Sequence, residues 1–295
     1  AVLVDLLKRL RTTVLKKTWD NTKKRWGFKL SEDIILNGVV YDMRSGGLHS
    51  RDGLKPGIFN SDSEWQLRDA DVTSFYPFLG KEYKIKPEHL EECYFKNLEM
   101  VISERVTAKQ IGDMVKALAL KIVANAGFFG KFGSEYFWMK DDLALMKVTI
   151  AGQLVIFTLI DELLDKGFEV ISANTDGVVT KIKKSRLAEY DAICEAWQKR
   201  MGFNLEFVDY ETYVRRDVNN YFTSYLKGGR LQYKEKGVFE QKQNLFKGYK
   251  TPIIAKALHE YFVNGVEPIA TIKASQSIYD FCISKKVAAE FKTKF

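Results

Sequence analysis

The stretch from residue 143 to residue 182 constrains the fold most, because a long helical repeat runs directly into two strand-like segments. Apolar residues recur at helical spacing in its first part, at Met146, Ile150, Leu154, Phe157, Ile160 and Leu164. Lys166 and Gly167 then provide a helix stop, and residues 168–182 contain two β-prone runs separated by Asn-Thr-Asp-Gly. We therefore expect a helix over 143–165 followed by a hairpin that carries the Asp176 carboxylate at its tip.

The rest of the sequence extends this pattern to an α+β fold. Turn residues punctuate short apolar runs between Gly38 and Asp69, which predicts a turn-rich β region whose last strand, 65–70, ends at Asp71. The further patterns are helical over 99–125 and 187–201, strand-like over 205–213, 221–226 and 231–235, and helical again from Pro252. Together they predict an antiparallel sheet packed against helices.

Residues 1–26 form a strongly basic segment, with eight Lys or Arg against Asp5 and Asp20. The basic residues are Lys8, Arg9, Arg11, Lys16, Lys17, Lys23, Lys24 and Arg25. Steps of four and three also predict an apolar helix stripe made of Leu3, Leu7, Leu10 and Val14. Two interpretations stay open: a solvated surface helix docked by its stripe, or a contact with a DNA backbone. The net charge of the whole chain, +8, favours nucleic acid or an anionic membrane surface as a partner.

Cysteine spacing and hydropathy exclude several classes of protein. The three cysteines, Cys93, Cys194 and Cys282, are far apart and form no CxxC pair, which argues against a disulfide framework or a zinc knuckle and favours a reducing, intracellular setting. The apolar run 148–160 is shorter than the roughly 20 residues that cross a bilayer, so we expect no membrane span. The chain opens on Ala1 without a signal core, so we expect a processed chain or an excised segment.

Asp71 and Asp176 each fall where a predicted strand meets a turn. An aspartate in a turn commonly bonds to its own backbone, which is the plain interpretation of either residue alone. Two carboxylates brought together on adjacent strands would instead make an oxygen-rich site suited to Mg²⁺. The residues around them distinguish the two interpretations.

Four segments resemble, in order, the motifs of family B DNA polymerases, most closely those of phage enzymes. They are DVTSFYP from Asp71, similar to motif A (DxxSLYP); ERVTAKQ at 104–110, similar to the RxxxK of the fingers helix; KIVANAGFFG at 121–130, similar to motif B (KxxxNSxYG); and SANTDGVV at 172–179, similar to motif C (YxDTDS). The resemblance implies a polymerase palm with short helical fingers and a partial helical thumb.

Three further segments resemble DNA-contacting elements of the same family. GGLHS at 46–50 resembles the element that precedes motif A and contacts the template, which implies DNA contacts for Gly46, Gly47 and His49. RDVNNY at 216–221 and YKEKG at 233–237 resemble the primer-gripping motifs, which implies primer contacts for Tyr221, Lys234, Lys236 and Gly237. The implied division is 1–45 basic helix and linker, 46–98 palm, 99–130 fingers, 131–240 palm and 241–295 partial thumb.

The chemistry that this resemblance implies is two-metal nucleotidyl transfer. Asp71, Asp176 and the Val72 carbonyl would hold two Mg²⁺ ions, with Mn²⁺ as an alternative. The nucleotide would contact Ser74, Phe75, Tyr76, Arg105, Lys109, Lys121 and Asn125. Tyr76 resembles the steric gate that excludes a ribose 2′ hydroxyl. The plain alternatives are a packing aromatic for Tyr76 and ordinary surface cations for the helix residues.

The sequence departs from the family pattern in several places. Asn174, next to Thr175 in motif C, replaces the first aspartate of the DTD triplet, and Gly177 replaces its serine. Motif B holds one extra residue between Asn125 and Gly130, so Phe128 or Phe129 could be the counterpart of its aromatic residue. No exonuclease DxE motif precedes Gly46 and the thumb region is short, which predicts either an exonuclease-less core or a truncated polymerase. Editing and processivity would then come from a separate subunit.

The leading hypothesis is therefore a DNA polymerase that transfers deoxynucleotides to the 3′ hydroxyl of a primed DNA template and releases pyrophosphate. The implied role is viral genome replication, in the cytoplasm of a host cell. A second hypothesis is a weakly active or inactive nucleic-acid-binding module of polymerase descent. A third is a membrane-surface or partner-docking protein that acts through residues 1–26, which leaves the ordered motifs unexplained.

Overall fold

The computed structural model describes residues 2–20, 25–241 and 251–283, and the chain divides into two compact units. The first unit comprises residues 1–54 and 62–209, and the second comprises 55–61 and 210–295. Antiparallel sheets packed by helices make up the fold, which confirms the predicted α+β class. The division into palm, fingers and thumb stays a prediction.

Helices α1 to α6 belong to the first unit, and α7 and α8 belong to the second. They are α1 Val2–Thr12, α2 Phe75–Glu82, α3 Cys93–Gln110, α4 Met114–Ile122, α5 Asp142–Asp165, α6 Leu187–Met201, α7 Pro252–Asn264 and α8 Pro268–Ala274. The strands are β1 Lys17–Asp20, β2 Arg25–Phe28, β3 Glu32–Leu36, β4 Val39–Met43, β5 His49–Asp52, β6 Gly57–Asn60, β7 Trp65–Val72, β8 Glu169–Asn174, β9 Gly177–Lys183, β10 Leu205–Asp217, β11 Asn220–Lys227 and β12 Arg230–Lys236.

The main sheet of the first unit has the strand order β10-β7-β9-β8-β5-β4-β3, with β10 contributing its first residues. The β8–β9 hairpin forms as predicted, and Lys166 and Gly167 end the preceding helix, with Gly167 in the left-handed region at φ 72°. β7 pairs with β9 over most of its length. The two predicted aspartates therefore lie at the same end of the strands.

α5 forms the centre of the first unit's core. It is long and apolar enough to cross a membrane by length and composition, but 61% of its most apolar window is buried inside the protein, as in the core helix of a globular domain. Asp141 caps its N-terminus by accepting from the Leu143 and Ala144 amides. Gln153 on this helix exchanges two hydrogen bonds with the backbone of Arg44, at 3.0 and 2.9 Å, and so fixes the segment that leads into β5.

The N-terminal segment differs from its prediction. The helix ends at Thr12, and its fully buried residue is Leu6, with Leu3 and Leu10 partly buried beside it. Leu7 and Val14 are 39% and 77% exposed, so the predicted stripe is right at Leu3 and Leu10 and wrong at Leu7 and Val14. A hairpin of β1 and β2 follows, in the part of residues 1–45 that was predicted as a linker. Lys23 and Lys24 lie outside the described residues.

The predicted helix over 99–125 is two helices. Gly112 adopts a left-handed conformation at φ 78°, and Asp113 caps the new helix by accepting from the Lys116 amide. α4 then continues as a π-helical segment over Val123–Gly130. A π-helical turn accommodates an extra residue within a helix, which explains how the longer motif B fits without a loop.

The second unit contains a four-stranded sheet in which β10 pairs with both β6 and β11, and β11 pairs with β12. Gly228 and Gly229, both with positive φ, turn β11 into β12 between the two predicted strand-like segments 221–226 and 231–235. Phe222, Phe239 and Phe262 pack this sheet against α7. Helices α7 and α8 form in the region predicted to be helical from Pro252, and they are separated at Gly265 and Pro268.

Candidate active site

Asp71 and Asp176 lie close together at one end of the strands of the first unit's sheet. Asp71 in β7 is directly opposite Gly177 at the start of β9, and Asp176 occupies the turn between β8 and β9. The Val72 amide donates to the Asp176 carbonyl at 2.8 Å, which ties the end of β7 to the hairpin tip. Asp176 is exposed and Asp71 is half-buried. The structure thus brings together the two carboxylate residues predicted from the sequence.

Gly177 allows the Asp71 carboxylate to lie directly against the hairpin. An added Cβ at Gly177 would overlap Asp71 Oδ1 and lie 3.2 Å from its Cγ and 3.3 Å from Asp69 Oδ1. The serine of the usual motif C would need the same space. Only glycine fits at position 177 beside the Asp71 carboxylate in this conformation. The buried Asp69 places a second carboxylate close to that of Asp71.

The hairpin tip is held from its other side by the segment 46–50. Thr175 adopts a left-handed φ of 59°, and its amide donates to the Leu48 carbonyl at 2.8 Å. Gly47 is buried beneath the Thr175 side chain, whereas Gly46 is exposed. His49 pairs with Asn174 across β5 and β8. These contacts show a supporting role for the segment, and its predicted contacts with DNA stay a prediction.

A cleft of about 160 Å³ opens beside the two aspartates. Its lining combines residues of motifs A, B and C with one residue of α3 and one of β10: Asp71, Val72, Thr73, Ser74, Phe75, Tyr76, Arg105, Lys121, Asn125, Asp176 and Glu206. All of the residues predicted to bind metal or nucleotide are therefore gathered at this cleft, except Lys109. Carboxylates and cations share its walls, as a site for a metal-bound phosphate requires.

Arg105 points its guanidinium at motif A. Its Nη1 donates to Ser74 Oγ, and its buried Nε has no hydrogen-bond partner within the described part of the chain. A buried, unpaired guanidinium donor is costly unless a ligand completes it. Because a guanidinium is planar and always charged, the natural completing group is an anion such as a phosphate.

Lys109 lies one turn further along α3 but does not line the cleft. Its ammonium is 3.5 Å from Glu206 Oε1, and both side chains are largely exposed. An exposed ion pair contributes only about 0–1 kcal/mol. The pair therefore places Lys109 next to Glu206, a residue of the cleft wall, through a weak contact that can be exchanged for another.

Tyr76 contributes a half-buried phenol to the cleft. Burial, followed by the negative charge of Asp176, raises its pKa to about 12, so the phenol stays neutral at physiological pH. Its ring packs at 5.7 Å against Phe75, which is buried and packs in turn on Phe203 at 5.8 Å. Phe75 thus holds Tyr76 in place from the core.

The aromatic residues of motif B both point into the protein. Phe128 packs on Tyr94 at 5.2 Å and Phe129 packs on Phe132 at 5.5 Å, and all four rings are buried. Of the same motif, Lys121 and Asn125 line the cleft. The structure therefore places neither phenylalanine at the cleft.

The predicted primer-contacting residues belong to the second unit. Tyr221 pairs with Lys236 across β11 and β12, and Lys234 Nζ lies 5.8 Å above the Tyr221 ring. Tyr221 also stacks on Tyr213 at 5.4 Å. Gly237 has a positive φ of 63°, and an added Cβ would lie 2.5 Å from the Asn219 carbonyl oxygen, so its conformation requires glycine. The two lysines and Tyr221 form one cationic, aromatic patch.

The donor set of the cleft fits hard divalent cations. It offers carboxylate oxygens and main-chain carbonyls, without thiolate or imidazole ligands among its lining residues. No group of three or more His, Cys, Asp or Glu side chains in the described residues is arranged to hold a metal. Asn174 does not line the cleft; its Oδ1 accepts from Thr175 Oγ1 at 3.1 Å.

The sequence did not single out three residues of the site. Asp69 lies two positions before Asp71, so its side chain faces the same side of β7, and this alternation was the available signal. Glu206 reaches the cleft only because β10 lies beside β7 in the sheet. Thr73 lies at the cleft because its amide donates to the Asn204 carbonyl at 2.8 Å, a long-range contact without a local signature.

Comparison with solved structures shows what this fold resembles. The family B DNA polymerase from the hyperthermophilic archaeon Pyrobaculum calidifontis is similar, with a TM-score of 0.50 and 15% sequence identity. The alignment covers 88% of this chain and 38% of that polymerase, so the chain spans well under half of its length. No family model and no curated protein matches the chain. At this identity the likeness shows a shared, polymerase-like fold.

Proposed function

We propose that this chain is a template-directed DNA polymerase of the family B type, which adds deoxynucleotides to a primer 3′ hydroxyl. The observation that carries the proposal is the cleft that Asp71 and Asp176 line together with Arg105 and Lys121. Its carboxylates suit divalent cations, and its fixed cations suit the phosphates of a nucleotide. The polymerase-like fold and the order of the sequence motifs support the same function.

Two Mg²⁺ ions, or Mn²⁺ in their place, would supply activation of the attacking hydroxyl and stabilisation of the pyrophosphate leaving group. The residues that would hold them are Asp71, Asp176 and the carbonyl of Val72. Both aspartates are fixed by backbone pairing: Asp71 by its register with Gly177, and Asp176 by the hydrogen bond from Val72. This rigidity holds the ligands in place before substrate binds.

The chain's cations would bind and orient the triphosphate. Arg105 offers the unpaired Nε donor, Lys121 lies on the adjacent helix, and Asn125 adds an amide from the π-helical segment. Lys109 would leave Glu206 for the more highly charged phosphate, because the exposed ion pair is weak. Tyr76, held by Phe75, would occupy the space that a ribose 2′ hydroxyl needs.

The remaining parts of the proposal concern the setting of the reaction. Tyr221, Lys234 and Lys236 would hold the primer strand through its backbone, which positions a duplex without reading its sequence. Gly46 and His49 would contact the template. The proposed role is genome replication of a phage in the host cytoplasm, with editing or processivity supplied by a separate subunit.

Primer extension with purified protein tests the proposal. Asp71→Asn and Asp176→Asn should each abolish extension of a primed DNA template, whereas Asp165→Asn, at the exposed end of α5, should leave the rate unchanged. Asparagine keeps the size of the side chain, so the loss would report on charge. Extension that survives both substitutions would refute the proposal.

One observation favours a second candidate function, a non-catalytic nucleic-acid-binding module. Asn174 replaces a carboxylate, and no group of three or more His, Cys, Asp or Glu side chains among the described residues is arranged to hold a metal. Such a module would bind primed DNA with steep salt dependence and would extend no primer with Mg²⁺ or Mn²⁺. Its Asp71→Asn variant would bind primed DNA as well as the parent protein. The same extension assay therefore decides between the two functions.

A further inference from the structure

A small hairpin outside the cleft displays two tryptophans. β1 and β2 form a two-stranded sheet of their own, in which Trp19 lies directly opposite Trp26. The two indoles meet edge to face, with ring centroids 5.9 Å apart, and they are 47% and 55% exposed. Tryptophan is large and mostly apolar, so a paired, half-exposed placement indicates a contact surface.

The hairpin is anchored at its base, while its rings stay half-exposed. The pair Lys17 and Phe28 is on the same face as the tryptophans, because residues two apart in a strand share a face. Lys17 binds Asp142 at 2.9 Å and lies 5.4 Å above the Phe28 ring, which fixes this end against α5. On the other face, an added Cβ at Gly27 would meet nothing within 4 Å among the described residues.

The hairpin is also cationic. Lys16 and Lys29 at its two ends are exposed and have no ion pair within the described part of the chain. Its strands add Lys17 and Arg25, so the described part of the hairpin carries four cations against Asp20. A polyanion is therefore the complementary partner.

We propose that the Trp19–Trp26 hairpin is a binding surface for single-stranded nucleic acid, separate from the catalytic cleft. Exposed aromatic rings on a cationic element stack bases and bind backbone phosphates without reading sequence. A membrane-inserting loop would instead need contiguous apolar neighbours, but the positions beside the rings are Thr18, Asp20 and Gly27. The proposal does not depend on polymerase activity.

Fluorescence anisotropy with labelled oligothymidylate and oligouridylate tests the surface. Trp19→Ala/Trp26→Ala should weaken binding at least about fivefold, the low end for one lost stacking contact, with the salt dependence unchanged. Trp19→Phe/Trp26→Phe should retain most of the affinity because aromatic rings remain. Lys16→Gln/Lys29→Gln should lower the salt slope by about 1.4, since each phosphate contact on a single strand contributes about 0.7 to that slope. The two oligonucleotides distinguish binding of DNA, of RNA and of both.

Two further measurements separate stacking on this hairpin from binding at the cleft or at a membrane. In a Trp65→Phe/Trp138→Phe background, Trp19, Trp26 and the fully buried Trp197 remain, so stacking should quench the fluorescence of the hairpin pair. Asp71→Asn must keep the tryptophan-dependent binding, which distinguishes failure here from failure of the proposed polymerase. The proposal is overturned if the double alanine variant binds both oligonucleotides like the parent protein. It is also overturned if that variant loses only binding to phosphatidylcholine–phosphatidylserine vesicles.

Discussion

Replacing Gly47 with alanine should disable the candidate active site without touching any of its lining residues. An added Cβ at Gly47 would lie 2.7 Å from Thr175 Cβ and 2.8 Å from Thr175 Cγ2. Ordinary contacts between carbon atoms begin near about 3.5 Å, so Thr175 must move by about 1 Å. Its side chain is branched at Cβ and cannot simply swing aside, so the backbone of the tip has to shift.

That shift would be transmitted to Asp71 and Asp176, the carboxylates proposed to act in catalysis. The Thr175 amide donates to the Leu48 carbonyl, and the carbonyl of the next residue, Asp176, accepts from the Val72 amide, both at 2.8 Å. Displacing a reacting group by about 1 Å can cost about 10²-fold in rate, and overpacking a buried site costs about 1–3 kcal/mol of stability. We therefore expect Gly47→Ala to slow single-nucleotide extension about 100-fold while the protein still folds.

Gly27 provides the matched control outside the cleft, on the face of β2 opposite the Trp26 ring. It is half-buried, its φ lies outside the left-handed region, and an added Cβ meets nothing within 4 Å among the described residues. Extension rates and thermal unfolding of Gly27→Ala and Gly47→Ala should be measured in parallel with the parent protein. Equal extension rates for the two variants would refute the packing argument, whether both are active or both are impaired.

Three further predictions concern the cleft. Burial raises the Tyr76 pKa to about 12 from an ordinary 10, so between pH 10 and 12 the folded state keeps a proton that the unfolded state loses. The free energy of unfolding has its full value below pH 10 and decreases between pH 10 and 12. In urea denaturation, this decrease should be ~2–3 kcal/mol smaller for Tyr76→Phe than for the parent protein. Tyr76→Ala should leave deoxynucleotide insertion largely intact and raise ribonucleotide insertion; unchanged sugar discrimination in single-nucleotide assays would contradict the gate. Asn174→Asp should narrow an advantage of Mn²⁺ over Mg²⁺ in extension, and identical metal responses in both proteins would remove that idea.

Much of the first unit could be predicted because its signals are local. The period of apolar residues in α5, the stop at Gly167 and the turn residues of the hairpin each depend on neighbours in sequence, and all three formed as expected. The placement of Asp71 and Asp176 at one edge came from the strand pairing of β7 with β9. The motif resemblance then grouped Arg105 and Lys121 with them, which no periodicity could do.

The sequence analysis was wrong or silent where contacts between residues distant in sequence determine the structure and the local sequence pattern fits more than one arrangement. In α1, Leu6 and Leu7 give apolar stripes of similar spacing, and packing against the core selects Leu6. Glu206 reaches the cleft through strand order alone. The π-helical segment resolves an ambiguity of motif B that sequence spacing left open, because the extra residue is absorbed within the helix.

Two strained residues of the first unit show why this site needs so many supports. Ser74 and Thr175 both adopt left-handed backbone conformations, at φ 50° and 59°, although neither is a glycine and threonine is branched at Cβ. Such residues cost about 1–3 kcal/mol each and persist only where surrounding contacts impose them. Ser74 receives the Arg105 guanidinium and its carbonyl accepts from the Phe78 amide, while the Thr175 amide is held by Leu48. One strained residue follows Asp71 by three positions and the other directly precedes Asp176, so the contacts that impose the strain also position the carboxylates. Loosening either support would relieve the strain and displace the neighbouring carboxylate at the same time, so the proposed activity depends on both strained turns.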